Sequence, residues 1–476
     1  MPAAHAFRFD NSYFRDMPGF YAEAKPLGAP APRLLRLNEA LAEQLGATAL
    51  ISAPTGELAA LFSGNACFDG AQPLAQAYAG HQFGGFSPSL GDGRALLLGE
   101  VIDNQGARRD IAFKGSGRTP YSRGGDGKAA VGPMLREYLI GEALHALGIP
   151  ATRALAVVAT GEPVRREQML PGAVLTRVAA SHLRIGTLQY FAARGELDKL
   201  RQLADYAIAR HDPELVGAPY LEWLKAVVDR QARLIAQWMG AGFIHGVMNT
   251  DNAALSGESI DFGPCAFMEA FDPAAVFSSI DHGGRYAYAN QPAAAQWNLA
   301  RFAEALLPLM GESALDAARG VIEDYGAIYE RHWLAEMRRK LGLQDKQAGD
   351  LQLAEDWLAL LHAAQADYTL GWRGLADAEH PLAERLGAAW PEWRARWQAR
   401  CVASANDLRR VNPLYIPRNH LVEAALSAAS VEQDMSVFER LLGALQKPFD
   451  EQPGLADLAE PAAAAFNQGY QTFCGT

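Results

Sequence analysis

The stretch HGVMNTDNAALSGESIDFG, residues 245–263, holds the residue types best suited to chemistry. A protein-kinase catalytic loop reads H-x-D, then Asn five positions after the Asp, then Asp-Phe-Gly further on. His245 and Asn252 keep that spacing, and Asp261, Phe262 and Gly263 supply the second motif. Val247 stands where the base Asp is expected, and valine accepts no proton. An Asp follows four places later, at Asp251. Magnesium is a hard cation, held through oxygen by one or two side chains together with phosphates. The amide of Asn252 and the carboxylate of Asp261 are the candidates. Asp251 is then free to orient or deprotonate an incoming hydroxyl, worth roughly 10²–10⁴-fold in rate. Alone, an Asp-Asn pair is more often a turn or helix cap; the His spacing and the Asp-Phe-Gly nearby favour chemistry.

A second group surrounds Lys114, the last residue of the run IAFK. Kinases place a Lys on a strand, where it touches phosphate and pairs with a helix Glu. Glu137 interrupts an apolar helical pattern and is the expected partner; Glu142, five residues on, is the competitor. No G-x-G-x-x-G loop precedes Lys114, but GDGR lies at 91–94 and GGDGK at 124–128. Glycine-rich backbone approaches phosphate closely, and guanidinium forks match phosphate oxygens. Arg177 interrupts an apolar run, which is uncommon unless it reaches a partner, and Arg184 follows in SHLRIG.

The elements that must position these residues follow from periodicity. Residues 34–45 read as helical, and the glycine-rich segment 78–94 reads as free of regular structure. The runs 95–102 and 111–114 flank the turn DNQGARRD and predict a hairpin. A helix is predicted over 131–147, stopped by Gly148 and Pro150, then strands over 154–160 and 173–179. Beyond Ser181 the pattern is helical, over 186–210, 220–240, 293–310, 315–341, 351–366 and 421–445. The polar interval 245–272 interrupts it. A β-rich half followed by a helical half predicts an α+β, protein-kinase-like fold, with a small N-lobe in residues 1–180 and a helical C-lobe in 181–476.

The chain has 476 residues and a net charge of −11. That acidic balance argues against a general nucleic-acid binder. Neither a leader peptide nor an apolar run of about 18 residues is found, so the expectation is a cytoplasmic protein with no membrane span. Nothing demands an oligomer, and a monomer is expected. Cys67, Cys265, Cys401 and Cys474 form no C-x-x-C pair, so zinc is not expected and free thiols are the default.

The segments AYAGHQFGGFSPSLGDGRA, AFKGSGRTPYSRGGDGKAAVGPMLREYLIGEALHALGIPATRAL, LTRVAASHLRIGT, HGVMNTDN and SIDFGPCAFMEAFDP carry a resemblance to the selenoprotein O family of pseudokinases, over nearly the whole chain. The resemblance implies a kinase-like fold binding ATP in a flipped orientation with Mg2+ or Mn2+. It implies transfer of AMP to Ser, Thr or Tyr hydroxyls of proteins with release of pyrophosphate, and UMP transfer from UTP with manganese as a further activity. Carried over by position, Gly91, Gly93, Arg94, Lys114, Asp126, Gly127, Arg177, Arg184 and Asp261 line the nucleotide site. Lys114 pairs with Glu137, Asn252 and Asp261 hold the metal, and Asp251 accepts the proton. The resemblance also implies a regulatory disulfide between Cys265 and Cys474. Two alternatives stand beside this reading. A small-molecule kinase with an H-G-D loop is opposed by Val247, and an inactive nucleotide-binding scaffold is opposed by the intact set Lys114, Asp251, Asn252 and Asp261.

Overall fold

The computed structural model describes residues 2–473. In chain order its strands are β1 (Tyr21–Glu23), β2 (Arg33–Leu37), β3 (Leu74–Gln76), β4 (Gly80–Gln82), β5 (Gly85–Ser87), β6 (Ala95–Ile102), β7 (Arg108–Lys114), β8 (Ala129–Ala130), β9 (Arg153–Arg165), β10 (Met169–Ala179), β11 (Phe243–Ile244) and β12 (Ala266–Phe267). Eight of them form one antiparallel sheet in the order β1-β3-β6-β7-β10-β9-β2, with β8 added on β10. The β6–β7 turn is an Asx turn: Asp103 Oδ1 accepts from the backbone N–H of Gln105 and Ala107 at 2.9 and 2.8 Å.

The period of two along β7 decides what each face carries. Lys114 lies opposite Leu175 and Ala112 opposite Arg177, so both cationic residues share one face of the sheet. Ile111 and Phe113 point the other way, into an apolar cluster with Val174, Val178 and residues of helices α2 (Glu39–Gln44) and α3 (Thr55–Ser63). These follow the short α1 (Ser12–Asp16). The first face is covered by helix α4 (Val131–Ala146), whose Leu135, Tyr138 and Leu139 pack with Leu175 and Val157.

The rest of the chain is mostly helical. Helices α5 (Ile185–Ala192), α6 (Leu197–His211), α7 (Tyr220–Ala241), α8 (Gln291–Met310), α9 (Leu315–Glu323), α10 (Tyr325–Leu341), α11 (Asp350–Ala363), α12 (Tyr368–Arg373), α13 (Ala383–Leu386), α14 (Trp390–Gln398) and α15 (Ala405–Val411) build the largest core, in which Trp357 stacks on Trp393 at 4.5 Å between centroids. Helices α16 (Asn419–Ser427) and α17 (Ser436–Leu445) return to the sheet half: Val422, Phe438 and Leu442 lie in the same cluster as Tyr138 and Leu175. The short α18 (Ala464–Gly469) follows. Among the described residues no helix is long and apolar enough to cross a membrane.

The predicted hairpin and helix at 95–147 fall where expected, at β6, β7 and α4. Other expectations are corrected. Residues 34–45 are not one helix, because β2 pairs with β9 through Leu37 and the Asn38 side chain then caps α2, accepting from Leu41 N at 3.1 Å. The segment 78–94 contains the β4–β5 hairpin. The helices predicted over 186–210, 315–341 and 421–445 are each broken in two, at Gly195, at Asp324 and at a wide turn over Ala428–Glu432. Side-chain periodicity runs through all three breaks and hides them.

Candidate active site

One cleft of about 700 Å³ lies between the sheet and the loop after α7. Its walls bring together Gly91, Gly93, Arg94, Lys114, Asp126, Gly127, Arg177, Arg184, Asp251, Asn252 and Asp261. These are the residues singled out from the sequence, drawn from segments up to 170 positions apart. Glu137 and the buried Cys265 lie outside the lining, and Cys474 lies outside the described residues.

Strand pairing and α4 set the inner wall. Lys114 Nζ pairs with Glu137 and reaches Asp261 Oδ1 at 2.5 Å. Arg177 Nη2 donates to the second oxygen of Glu137 at 2.7 Å and lies 3.8 Å from Asp261. Glu137 thus answers both cations of the strand face, while the competitor Glu142 is taken by Arg153 in a two-bond fork of 2.5 and 2.6 Å. Burial opposes ionisation of Asp261, but Lys114, Arg177 and Arg94 outweigh it and hold the carboxyl well below the usual range. Asp261 also adopts φ +71°, rare for a residue with a side chain.

The catalytic-loop motif folds around His245. Its Nε2–H donates to Ile260 O at 2.9 Å, Nδ1 accepts from Val247 N at 3.4 Å, and the ring stacks on Trp238. Burial lowers its pKa, so the imidazole is neutral scaffold. Val247 is buried and its carbonyl accepts from Asn252 Nδ2 at 3.1 Å, which leaves the amide oxygen of Asn252 as its free acceptor. Asp251 follows in a short 3₁₀ turn, Thr250–Asn252. Its Oδ2 accepts from Gln82 Nε2 at 3.1 Å; its Oδ1 is buried and has no partner among the described residues. Burial pushes this carboxyl up to about 6, against the pull of Gln82 and Arg184. Arg184 is fixed by bonds to Asp251 O (3.0 Å) and His182 O (3.1 Å) and lies 4.4 Å over the Tyr78 ring.

The outer wall is the glycine-rich loop. Gly127 turns at φ +69°, and a Cβ there would meet Gly117 O at 2.1 Å, so no larger residue fits. Asp126 accepts from Arg166 Nη1 at 2.9 Å. Sequence reasoning missed Tyr78, Gln82, Asp92, Arg118, Tyr121, Arg123, Lys128, Arg165 and Arg166, which also line the cleft. For Arg118, Arg123, Lys128, Arg165 and Arg166 the signal was the density of basic residues in GSGRTPYSRGGDGK and VRRE; Tyr78 and Gln82 had none.

Nine basic side chains line the cleft against four carboxylates, in a chain of net charge −11. That excess suits a polyphosphate. The oxygen pair of Asn252 and Asp261 suits a hard divalent cation that takes its remaining ligands from phosphate and water. Among the described residues no cluster of three or more His, Cys, Asp or Glu forms a self-sufficient metal cage. The chemistry of the site is that of the nucleotide-handling enzymes. The family model described as Protein adenylyltransferase SelO matches residues 4–446, and the chain belongs to that family of nucleotidyltransferases. A Protein nucleotidyltransferase YdiU of Cereibacter sphaeroides is 60% identical over 482 residues, covering 99% of this chain and all of that protein. One of Chromobacterium violaceum is 60% identical over 479 residues, with 97% of this chain and all of the relative covered. One of Rhizobium rhizogenes is 54% identical over 488 residues, covering 98% and 97%.

Proposed function

We propose that the chain is a protein adenylyltransferase of kinase-like, two-lobed plan, with residues 1–180 gripping the triphosphate of ATP and 181–476 carrying the metal ligands and base. The observation that carries this reading is the pairing of a cationic cleft with one buried, unpartnered carboxylate oxygen on Asp251. Arg94, Lys114, Arg177 and Arg184 grip the β- and γ-phosphates, so that the α-phosphorus is the electrophile offered to an acceptor. The Ser, Thr or Tyr oxygen of a protein forms a bond to the α-phosphorus, the bond from that phosphorus to its bridging oxygen breaks, and pyrophosphate leaves. The hydroxyl proton passes to the Asp251 carboxylate. Mg2+ or Mn2+, held by Asn252 and Asp261, would neutralise charge on the phosphates. The basic side chains supply fixed electrostatic stabilisation of the leaving group. UTP with manganese is a second donor.

The proposed setting is the cytoplasm, and the proposed state a monomer. A Cys265–Cys474 bridge is supported by the end of the described chain: Thr472 Oγ1 donates to Pro264 O at 2.6 Å and Thr472 N to Phe277 O at 2.8 Å, next to Cys265. Burial pushes the Cys265 thiol up to about 12, so free Cys265 is a poor nucleophile.

The test is intact-mass analysis of an acceptor protein incubated with the chain, metal and ATP labelled on the α- or the γ-phosphate. Transfer of the α-label with the mass of an adenylyl group is expected, lost in Asp251→Ala while ATP binding persists. Transfer of the γ-label with a phosphoryl mass defeats the reading.

A further inference from the structure

We propose that the β4–β5 hairpin, with Arg285 beside it, is the docking platform for the acceptor protein, and that it favours a hydroxyl flanked by an apolar and an acidic residue. The inference rests on the protein adenylyl transfer proposed above.

The hairpin is tied to the catalytic loop at three points. His81 N donates to Thr250 Oγ1 at 2.7 Å, Phe83 N to Asn249 Oδ1 at 3.0 Å, and Gln82 Nε2 to the base Asp251. Whatever binds on the hairpin is therefore held at a fixed offset from Asp251. The residues that follow Gln82 face outward. Phe83 and Phe86 are 38% and 42% exposed, although each ring is braced from within, Phe83 by Tyr286 at 5.2 Å and Phe86 by His81 at 4.8 Å between centroids. Phe83 takes φ +50°, a conformation that bulky side chains seldom adopt. A small residue would hold this turn with less strain, and the core gains little from either ring. Exposed aromatics on a braced support are the composition of a protein-recognition surface.

Arg285 supplies the charge. Its guanidinium lies 4.7 Å over Trp297 and against Gly84 of the hairpin. Its backbone N–H donates to Asp281 Oδ1 at 2.9 Å, but among the described residues its guanidinium forms no ion pair and its buried Nε meets no acceptor. In a chain with 54 acidic and 43 basic side chains, a guanidinium left without a carboxylate is set for one from outside. Two apolar rings and one cation fit the side chains of an acidic-apolar peptide segment. They do not fit a second polyphosphate, which the nine cations of the cleft already serve.

The experiment uses three short fluorescein-labelled peptides with one central Thr, flanked by Leu and Glu, by Leu and Lys, or by Gly alone. Their binding to the full chain is read by anisotropy with a non-hydrolysable ATP analogue and Mg2+ present; ATP affinity is read separately by calorimetry. The Leu/Glu peptide is expected to bind tightest. Phe83→Ser with Phe86→Ser should weaken it roughly tenfold. Arg285→Glu should turn the preference from Glu to Lys, with Arg285→Gln abolishing it, and ATP affinity should be unchanged throughout. Equal binding of the three peptides, indifference of the preference to these variants, or a fall in ATP affinity in the Phe variant overturns the platform. Mass analysis of the same peptides reads the reaction independently. A preference that obeys these variants without any adenylyl mass upholds the platform and sinks adenylyl transfer.

Discussion

Asp251 has one oxygen held and one free, and its neighbours leave no room for adjustment. A Cβ on Gly80 would lie 2.5 Å from Asp251 Oδ1 and 2.9 Å from Leu90 Cδ1. Gly80→Ala therefore displaces the carboxylate; kcat for AMP transfer is expected to fall by about 10²-fold, the usual cost of a misplacement near 1 Å. Calorimetry should find the ATP Kd within about twofold of the parent. His211 gives a second residue-scale outcome. Burial first, then Arg210 and Arg230, push its pKa from 6.5 down to about 3, while its Nε2 bonds Ser181 Oγ at 2.7 Å. The folded state therefore refuses a proton that the unfolded chain accepts. The associated stability is complete above pH 6.5 and is lost as pH falls toward 3. Between pH 6.5 and 5 that is about 2 kcal/mol. Urea unfolding at both pH values should show His211→Asn losing less than the parent over this interval. The site was legible in the sequence where residue type alone implies chemistry, as with Lys114, Asp251, Asn252 and Asp261. Gln82 and Arg166 were not legible, because exposed-type residues in a loop have no periodicity and only the folded chain reveals what they touch.

At the scale of elements, α4 carries three charged residues inward, each to a different partner. Arg136 Nη2 donates to Cys265 O at 2.5 Å, Glu137 answers Lys114 and Arg177, and Glu142 answers Arg153. Removing one partner of a buried pair costs about 3–5 kcal/mol. Glu137→Gln and Glu142→Gln should both lower the unfolding free energy on that scale. Only Glu137→Gln should raise KM for ATP, because only Glu137 holds Lys114 and Arg177, which line the cleft; steady-state kinetics beside urea melts separates the two. Both acids sit in one apolar pattern, so the sequence could name two candidates for Lys114 and not choose. The choice is made by β9, which brings Arg153 to Glu142. The β4–β5 hairpin escaped notice for a related reason: three-residue strands are too short to show an alternation.

For the whole molecule, the order of the chain is not the order of packing. A division near residue 180 follows the change from strands to helices, yet Tyr415, Val422, Phe438 and Leu442 share a core with Tyr138 and Leu175. Contacts between segments so far apart leave no periodic trace, and the single helix predicted over 421–445 carries no sign of where it packs. Phe438 is fully buried with its ring 5.9 Å from that of Tyr138. Phe438→Ala should cost about 3–5 kcal/mol. The loss is expected to appear as a lower thermal midpoint and as faster proteolysis in α4, although α4 lies some 300 residues away in sequence.

That return of α16 and α17 to the sheet has a consequence for synthesis. The strand bearing Lys114 and the helix bearing Glu137 leave the ribosome early, but their apolar roof is made roughly 300 residues later, on the order of 15–60 s at ordinary elongation rates. Throughout that interval α4 has a bare flank and the cation-bearing strands lack a rigid backing. The catalytic half of the sheet therefore acquires its full backing only when the last helices are made, and a chain cut short before α16 keeps the apolar flank of α4 bare.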